Sequence, residues 1–353
     1  MMSKKRFLPI FLIILIFSVL YVIFAARPLG TEYQLEPEWK IDVSNPTVSE
    51  RLPDDNPLYF KLGKSVGYFT EDGRVTNFSS FSYKAAISQD YYTCYDANNA
   101  ASLFFTPDGK KAGVINVSGF PMISGDRIFV FLPGGASFVQ CDANGDRLWE
   151  YSGTVPLTAF ASSSGGCVAG FADGNVCEFD ASGNLIQRFS PGGSNYPVIL
   201  GAAISEDASL LAVVSGQMRQ RFVLVKNDGV SSKIIFHEFM DGADSLQKLV
   251  KFYDEDRTVV YSSGSMLGIV STTGGKSSHI KIKGQAIDVQ EAGNLIFVLA
   301  KANHSYTVHI IEHFATLSGS FTFEADNAFI RTNGSDLYIG KDSTISKINI
   351  MKK

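Results

Sequence analysis

Short apolar segments separated by glycine turns recur along most of the chain. The turns are marked by Gly73, Gly109, Gly145, Gly183, Gly229, Gly275 and Gly319. Successive glycines in this series are 36, 36, 38, 46, 46 and 44 residues apart. Most of them lie between two short apolar runs, which is typical of strands joined by tight turns. A period of about 40 residues built from strands predicts an all-β fold, the β-propeller.

Residues 39–353 predict one propeller domain of eight blades, each with four antiparallel strands. Seven blades is the alternative, because the first and eighth units have the faintest patterns. The last unit, which begins near Ala328, has one strand too few. We expect residues 39–43 (WKIDV) to supply that strand and close the ring, since the edges of the sheets would otherwise be exposed. Trp149 occupies the outer-strand position of the third blade, so Trp39 would be its equivalent.

The N-terminal residues 1–26 predict a membrane anchor. Three basic residues, Lys4 to Arg6, precede an uncharged run from Phe7 to Ala26 that is long enough to span a bilayer as a helix. A cleaved signal peptide is the alternative, although its apolar region is usually shorter, about 7–15 residues. The basic cluster predicts an N-terminus inside and the remainder outside, in a periplasm or an equivalent extracytoplasmic space. The polar residues 27–38 contain two prolines and predict a linker.

The balance of charged residues bears on whether the partner is a nucleic acid. Without the three basic residues of the anchor, 28 Lys and Arg face 35 Asp and Glu, a net charge of −7. No basic stripe is present, so the sequence predicts no nucleic-acid partner. Charged residues make up 19% of the chain, below the roughly 25% of soluble domains, which fits sheets covered on both faces.

The four cysteines are predicted to be buried thiols, with one disulfide as the open alternative. A two-residue turn at Asp173-Gly174 would place Cys177 opposite Gly170 and Cys167 opposite Asp180. The thiols of Cys167 and Cys177 would then point to opposite faces of the sheet.

One segment carries a resemblance to a known family. Residues 141–151 (CDANGDRLWEY) resemble the D-x-x-x-G-x-x-x-W tryptophan-docking signature of quinoprotein-like (PQQ-like) propellers. Residues 179–186 are similar, but Gln187 stands at the tryptophan position. WD40-like and lactonase-like propellers are alternative neighbours. The resemblance implies comparison with propellers that assist cell-envelope assembly, which are lipid-anchored, and with quinone-dependent dehydrogenases.

Three short motifs suggest chemistry, and each is explained by a strand or a turn. His309, Glu312 and His313 match the H-x-x-E-H pattern of inverted zinc proteases, which requires a helix. Here the pattern lies in a β-branched alternating run, in which residues four apart are separated by about 13 Å at ~3.3 Å per residue. Residues 274–277 (GGKS) resemble part of a phosphate-binding loop, but Val270 replaces its first glycine.

The third motif is Asp142, Asn144 and Asp146, which resembles the start of a calcium loop. Arg147 and Gly153 replace the glycine and glutamate that such a loop requires. The sequence therefore predicts no catalytic residue, no cofactor-binding residue and no metal ligand.

The combined features predict a membrane-anchored, extracytoplasmic interaction or scaffold module rather than an enzyme. A quinoprotein-type dehydrogenase is the alternative, although such enzymes repeat the tryptophan motif in most blades and carry adjacent cysteines, which this chain lacks. A propeller that senses a small ligand in its central channel is a third hypothesis. The identity of any protein partner is not predicted.

Overall fold

An N-terminal helix precedes an all-β domain in the computed structural model, which describes residues 7–25, 33–97, 100–229, 231–240, 244–312 and 316–352. The helix, α1, spans Phe7–Ala25 and contains no charged residue. Side chains are described for its residues 11–21, and all of them are exposed. Within the described part of the chain, no helix is both long enough and apolar enough to cross a membrane, so the predicted span is not confirmed.

Thirty-one strands form eight antiparallel sheets within the described residues. The first strand is β1 (Tyr33–Asp42). Blade one contains β2 (Leu58–Leu62), β3 (Ser65–Phe69) and β4 (Val75–Ser80). Blade two contains β5 (Lys84–Ile87), β6 (Tyr92–Tyr95), β7 (Ser102–Phe105) and β8 (Lys111–Ile115). Blade three contains β9 (Phe120–Ser124), β10 (Arg127–Phe131), β11 (Phe138–Cys141) and β12 (Arg147–Tyr151). Blade four contains β13 (Leu157–Ser162), β14 (Gly166–Phe171), β15 (Val176–Asp180) and β16 (Leu185–Phe189).

The remaining blades follow the same plan. Blade five contains β17 (Ile199–Ile204), β18 (Leu210–Ser215), β19 (Arg221–Asn227) and β20 (Ser232–Phe239). Blade six contains β21 (Val250–Tyr253), β22 (Thr258–Ser263), β23 (Met266–Ser271) and β24 (Ser277–Lys281). Blade seven contains β25 (Gln285–Ala292), β26 (Leu295–Ala302), β27 (Ser305–Glu312) and β28 (Thr316–Glu324). Blade eight contains β29 (Ala328–Asn333), β30 (Asp336–Lys341), β31 (Thr344–Lys352) and β1.

The eight-bladed propeller predicted from the repeat is confirmed. Seven sheets have the predicted four strands and blade one has three, counted over the described residues. The first strands of neighbouring sheets contact one another around the axis: β29 meets β2, β2 meets β5, β13 meets β17, and β25 meets β29. These inner strands line a central channel.

The ring closes as the sequence predicts, but the closing strand is longer than expected. β1 pairs antiparallel with β31, with Trp39 opposite Lys347 and Tyr33 opposite Lys352. Residues 33–38, predicted as part of a linker, therefore belong to the sheet. The pairing is irregular between Pro37 and Trp39, where an outer edge strand tolerates a proline.

The hydrophobic core lies between adjacent blades, because each sheet has two covered faces. Val168 of blade four and Leu211 of blade five are fully buried in one cluster. Val260 of blade six and Val298 of blade seven are fully buried in another. Burial on both faces accounts for the nearly continuous apolar strands such as β14 and β18, whose residues are almost all buried.

The glycine turns are confirmed at six of the seven marked positions. These six glycines have a positive φ, between 59° and 92°. Residues other than glycine adopt this backbone conformation only at a cost in free energy. Gly319 is the exception. It lies inside β28 opposite Ile310, next to a bulge at Ser318, because Ile311 pairs with Leu317. The predicted turn at Ser318-Gly319 is therefore wrong. The link between β27 and β28 is at residues 313–315, outside the described residues.

Candidate functional site

Exposed aromatic, methionine and arginine side chains gather at one edge of blade five. Tyr196 belongs to the link between β16 and β17, Met218 and Arg219 belong to the link between β18 and β19, and Phe239 ends β20. We call these four residues the blade-five patch. Tyr196 is 58% exposed, Met218 is 72% exposed and Phe239 is 44% exposed. Large side chains of this kind are enriched in the cores of protein interfaces.

Backbone contacts hold the segments of the blade-five patch together. The amide of Gln217 donates to the carbonyl of Tyr196 at 3.2 Å, which ties the two links to each other. The amide of Met240 donates to the carbonyl of Gln220 at 2.9 Å, which fixes the end of β20 beside the second link. The patch is therefore organised by main-chain hydrogen bonds before any partner arrives, which reduces the entropy cost of binding.

The guanidinium of Arg219 lies over the ring of Phe239, with 3.9 Å between its carbon and the ring centroid. This stacking presents a positive charge beside an apolar surface. A shallow cavity of about 250 Å³ adjoins it, lined by Gly193, Ser194, Asn195, Tyr196, Met218 and Arg219. The arrangement fits a protein segment with an apolar side chain next to a carboxylate.

No periodic pattern in the sequence predicts this patch, because it is built largely from the links between strands. Only composition marks it, through an aromatic residue after GGSN at 192–195 and a methionine flanked by polar residues at 217–221. Neither segment resembles a known motif.

The H-x-x-E-H segment lies on an extended strand, as predicted. His309 and Glu312 are in β27, and His313 is outside the described residues. His309 is buried, and its Nε2 accepts a hydrogen bond from the amide of Lys283 at 3.1 Å. Burial lowers the pKa of His309. Glu312 accepts a hydrogen bond from the hydroxyl of Tyr33 at 2.8 Å, so both side chains have structural partners.

The two other motifs form turns, as predicted. Gly275 has a φ of 59° in the link between β23 and β24. Asp142 accepts hydrogen bonds from the amides of Asn144 and Asp146, each at 2.9 Å, in the link between β11 and β12. These bonds, the one from Asp146 first, lower the pKa of Asp142 and use its carboxylate inside the turn. Among the described residues, no group of three or more His, Cys, Asp and Glu side chains is arranged to hold a metal ion.

The predicted register of the cysteine hairpin is wrong by one residue. Cys177 lies opposite Ala169, and Cys167 lies opposite Phe179. The turn is longer than expected, since the amide of Phe171 bonds the carbonyl of Asn175. A slip of one residue reverses the face, so both cysteines join the same buried cluster. Both thiols are free, and burial raises the pKa of Cys167 to about 12.

Comparison with known proteins agrees with this architecture. An uncharacterised protein of Treponema pallidum (strain Nichols) is 30% identical over 346 residues, covering 95% of this chain and 92% of the relative. The solved structure of BamB from Moraxella catarrhalis superposes with a TM-score of 0.61 at 15% identity, covering 90% of this chain and 98% of BamB. Dihydro-heme d1 dehydrogenase NirN, solved in complex with DHE, gives a TM-score of 0.62 at 12% identity, covering 94% of this chain and 82% of NirN.

The likenesses to BamB and NirN concern the fold alone, because their sequence identities to this chain are only 15% and 12%. The family match is broader, since a model described as beta-propeller protein matches residues 1–353. This chain therefore belongs to that family of beta-propeller proteins.

Proposed function

We propose that this protein is a membrane-tethered, extracytoplasmic interaction module that binds a protein partner through the blade-five patch. The observation that carries the proposal is the exposed set of Tyr196, Met218 and Phe239 beside the stacked guanidinium of Arg219. Anchors of this composition, placed around a charge, contribute most of the binding free energy in many interfaces. The likeness to BamB is consistent with an interaction module, and a role in cell-envelope assembly is part of the proposal.

The tether is proposed from the N-terminal run. Residues 7–26 carry no charge and follow Lys4, Lys5 and Arg6. In the helix α1, Phe17 is 71% exposed and Ile13 is 66% exposed, so these apolar side chains are available to lipid. Membranes washed at alkaline pH should retain the full chain and release a variant that lacks residues 1–26. Release of both proteins would contradict the tether. It would not bear on the proposal that the blade-five patch binds a partner.

Site-specific photocrosslinking tests the patch. A photoreactive amino acid at position 218 should give one discrete adduct in intact membranes. The same group at position 255 serves as the control, because Glu255 is 88% exposed and lies far along the chain in blade six. No adduct at 218, or the same adducts at both positions, would contradict the proposal.

A second variant distinguishes a crosslink that forms in a specific complex from one that forms in random encounters. Met218→Asp places a carboxylate where an apolar side chain of the partner would lie, and an exposed residue tolerates the change. With the photoreactive group moved to position 196, Met218→Asp should reduce the adduct at least tenfold. An unchanged adduct would show that the partner does not use the patch.

The alternative of a dehydrogenase rests on the resemblance of residues 141–151 to the quinoprotein-like signature and on likeness of fold. NirN carries that activity, but at 12% identity the likeness does not extend to its chemistry.

A further inference from the structure

The inner strands of blades six, eight, one and two each carry a basic side chain, and we call this set the arc. The arc contains Lys251 of β21, Arg331 of β29, Lys61 of β2 and Lys84 of β5, with Asp288 of β25 between the first two. Four basic side chains thus lie on the inner strands of a domain whose sequence is acidic. The inner-strand contacts bring these strands together although they are distant in sequence.

Contacts between neighbouring blades connect the members of the arc. Asp288 and Arg331 form an ion pair at 3.0 Å. The guanidinium of Arg331 also lies over the ring of Tyr59, with its carbon 4.2 Å from the centroid. Lys61 donates to the carbonyl of Ala85 at 2.6 Å. Lys251 donates to the carbonyl of Val289 at 3.1 Å. The blade beside each one therefore positions Lys251, Arg331 and Lys61.

The arc has more positive charge than its neighbours neutralise. Asp288 and Glu291 are the carboxylates near Lys251, and Glu291 also accepts a hydrogen bond from the amide of Asp254 at 3.0 Å. The Nε of Arg331 is buried and has no hydrogen-bond partner within the described residues. Desolvation by the surrounding channel walls lowers the pKa of Lys251 and the pKa of Lys61, although both residues are exposed to solvent. For Lys61 the charges of Lys84 and Lys64 act in the same direction. A bound anion would offset these costs.

The channel provides space beside Lys251. A cavity of about 450 Å³ is lined by the inner strands of blades four to seven, including Phe160, Leu200, Lys251 and Ile287. Gln247 reaches across the inner strand of blade five and donates to the carbonyl of Thr158 at 3.1 Å, and both residues line the cavity. Ligand pockets for small molecules have volumes of about 300–1,000 Å³, so the cavity has the size for one such molecule.

We propose that the central channel binds a small organic or inorganic anion with two or more carboxylate or phosphate groups, one held by Lys251 at the cavity wall and another reaching Arg331, which lies outside the cavity lining on the inner strand of blade eight. Lys251 and Arg331 lie on different blades, so a ligand with two anionic groups could contact both cations. Asp288 already occupies one side of Arg331, which leaves its other side for the ligand. The apolar walls at Phe160 and Leu200 would contact the uncharged part of the molecule. This ligand site is independent of the blade-five patch.

Calorimetric titration with citrate and with pyrophosphate, each in 150 mM NaCl, tests the proposal. At least one of the two should bind saturably with one site per chain, whereas acetate at the same concentration should not. The salt screens nonspecific attraction between charges. Binding of citrate alone identifies a carboxylate ligand, and binding of pyrophosphate alone identifies a phosphate ligand. Saturable binding of neither would overturn the proposal.

Matched variants locate the site. Lys251→Met should raise the Kd at least tenfold, whereas Lys276→Met removes the same charge from an exposed turn and should leave the Kd unchanged. Ile287→Glu adds a carboxylate to the cavity wall at a 43% exposed residue, so it should also abolish binding without removing a buried contact. Equal Kd values for Lys251→Met and Lys276→Met would show that the anion does not bind in the channel. An unchanged Kd for Ile287→Glu would show the same.

Discussion

The indole ring of Trp39 covers Gly73 across the seam between blade eight and blade one. A Cβ atom at position 73 would lie 3.2 Å from the Cδ2 atom of Trp39. The Nε1 of Trp39 donates to the carbonyl of Glu71 at 3.0 Å, which fixes the ring over the turn. Trp149 covers Gly183 in the same way between blades three and four. The seam therefore uses the same contact as an ordinary junction within the ring.

Gly73→Ala should destabilise the domain more than a substitution at an equally strained turn. Gly73 has a φ of 85° and Gly229 has a φ of 82°, but nothing lies within 4 Å of a Cβ at position 229. Backbone strain costs about 1–2 kcal/mol in both variants. The contact with Trp39 should add about 1–2 kcal/mol in Gly73→Ala. Urea unfolding of the two variants measures the difference, and equal losses would show that the indole does not press on the turn.

Lys347→Met should weaken the seam through charge. The side chain of Lys347 is 8% exposed and lies 2.9 Å from Glu38, 3.2 Å from Asp336 and 3.6 Å from Glu71. Although burial works against the charged form, hydrogen bonds to Glu38 and Asp336 hold the pKa of Lys347 above its usual value. Removing the cation leaves three carboxylates together and should cost about 2 kcal/mol in unfolding free energy.

The control for this variant is Lys110→Met. Lys110 pairs with Asp108 at 2.7 Å, but its side chain is 82% exposed. Its loss should cost less than about 0.5 kcal/mol. Similar losses for the two variants would mean that the seam gains nothing from burying Lys347.

His309 should make the domain sensitive to mild acid. Burial lowers the pKa of His309 in the folded state, so the unfolded chain binds more protons as pH falls below about 6.5. Stability is therefore lost as pH falls from about 6.5 toward the lower pKa of the folded state, and it is fully present above that range. The melting temperature should drop less between pH 7 and pH 5 in His309→Gln than in the parent chain. The other four histidines are present in both proteins, and parallel pH profiles would assign the acid sensitivity to them.

The architecture is predictable from the repeat in the sequence, because every blade needs the same strands and turns. The closing strand is predictable for the same reason, through the equivalence of Trp39 and Trp149. Its first residues are not predictable, because β1 is an outer strand whose residues are mostly exposed, so residues 33–38 look like a linker. A hairpin turn one residue longer than expected places Cys167 and Cys177 on the same face rather than on opposite faces, since one residue of turn length changes the register.

The candidate sites were harder to predict. The blade-five patch is assembled from two links and a strand end, and no pattern joins them along the sequence. The channel arc left a weak signal, a single basic residue within otherwise apolar inner strands such as LYFKL at 58–62. Only the closed ring brings the strands of Lys61, Lys251 and Arg331 together around one axis.

Both proposals depend on a ring closed by the two ends of the chain, and a pair of truncations measures closure directly. Removing residues 1–32 leaves β1 intact, whereas removing residues 1–42 deletes it and exposes the edge of β31. In thermal unfolding followed by circular dichroism, the first variant should keep one cooperative transition, and the second should lose it or melt at least 10 °C lower. The same transition in both variants would contradict closure by β1.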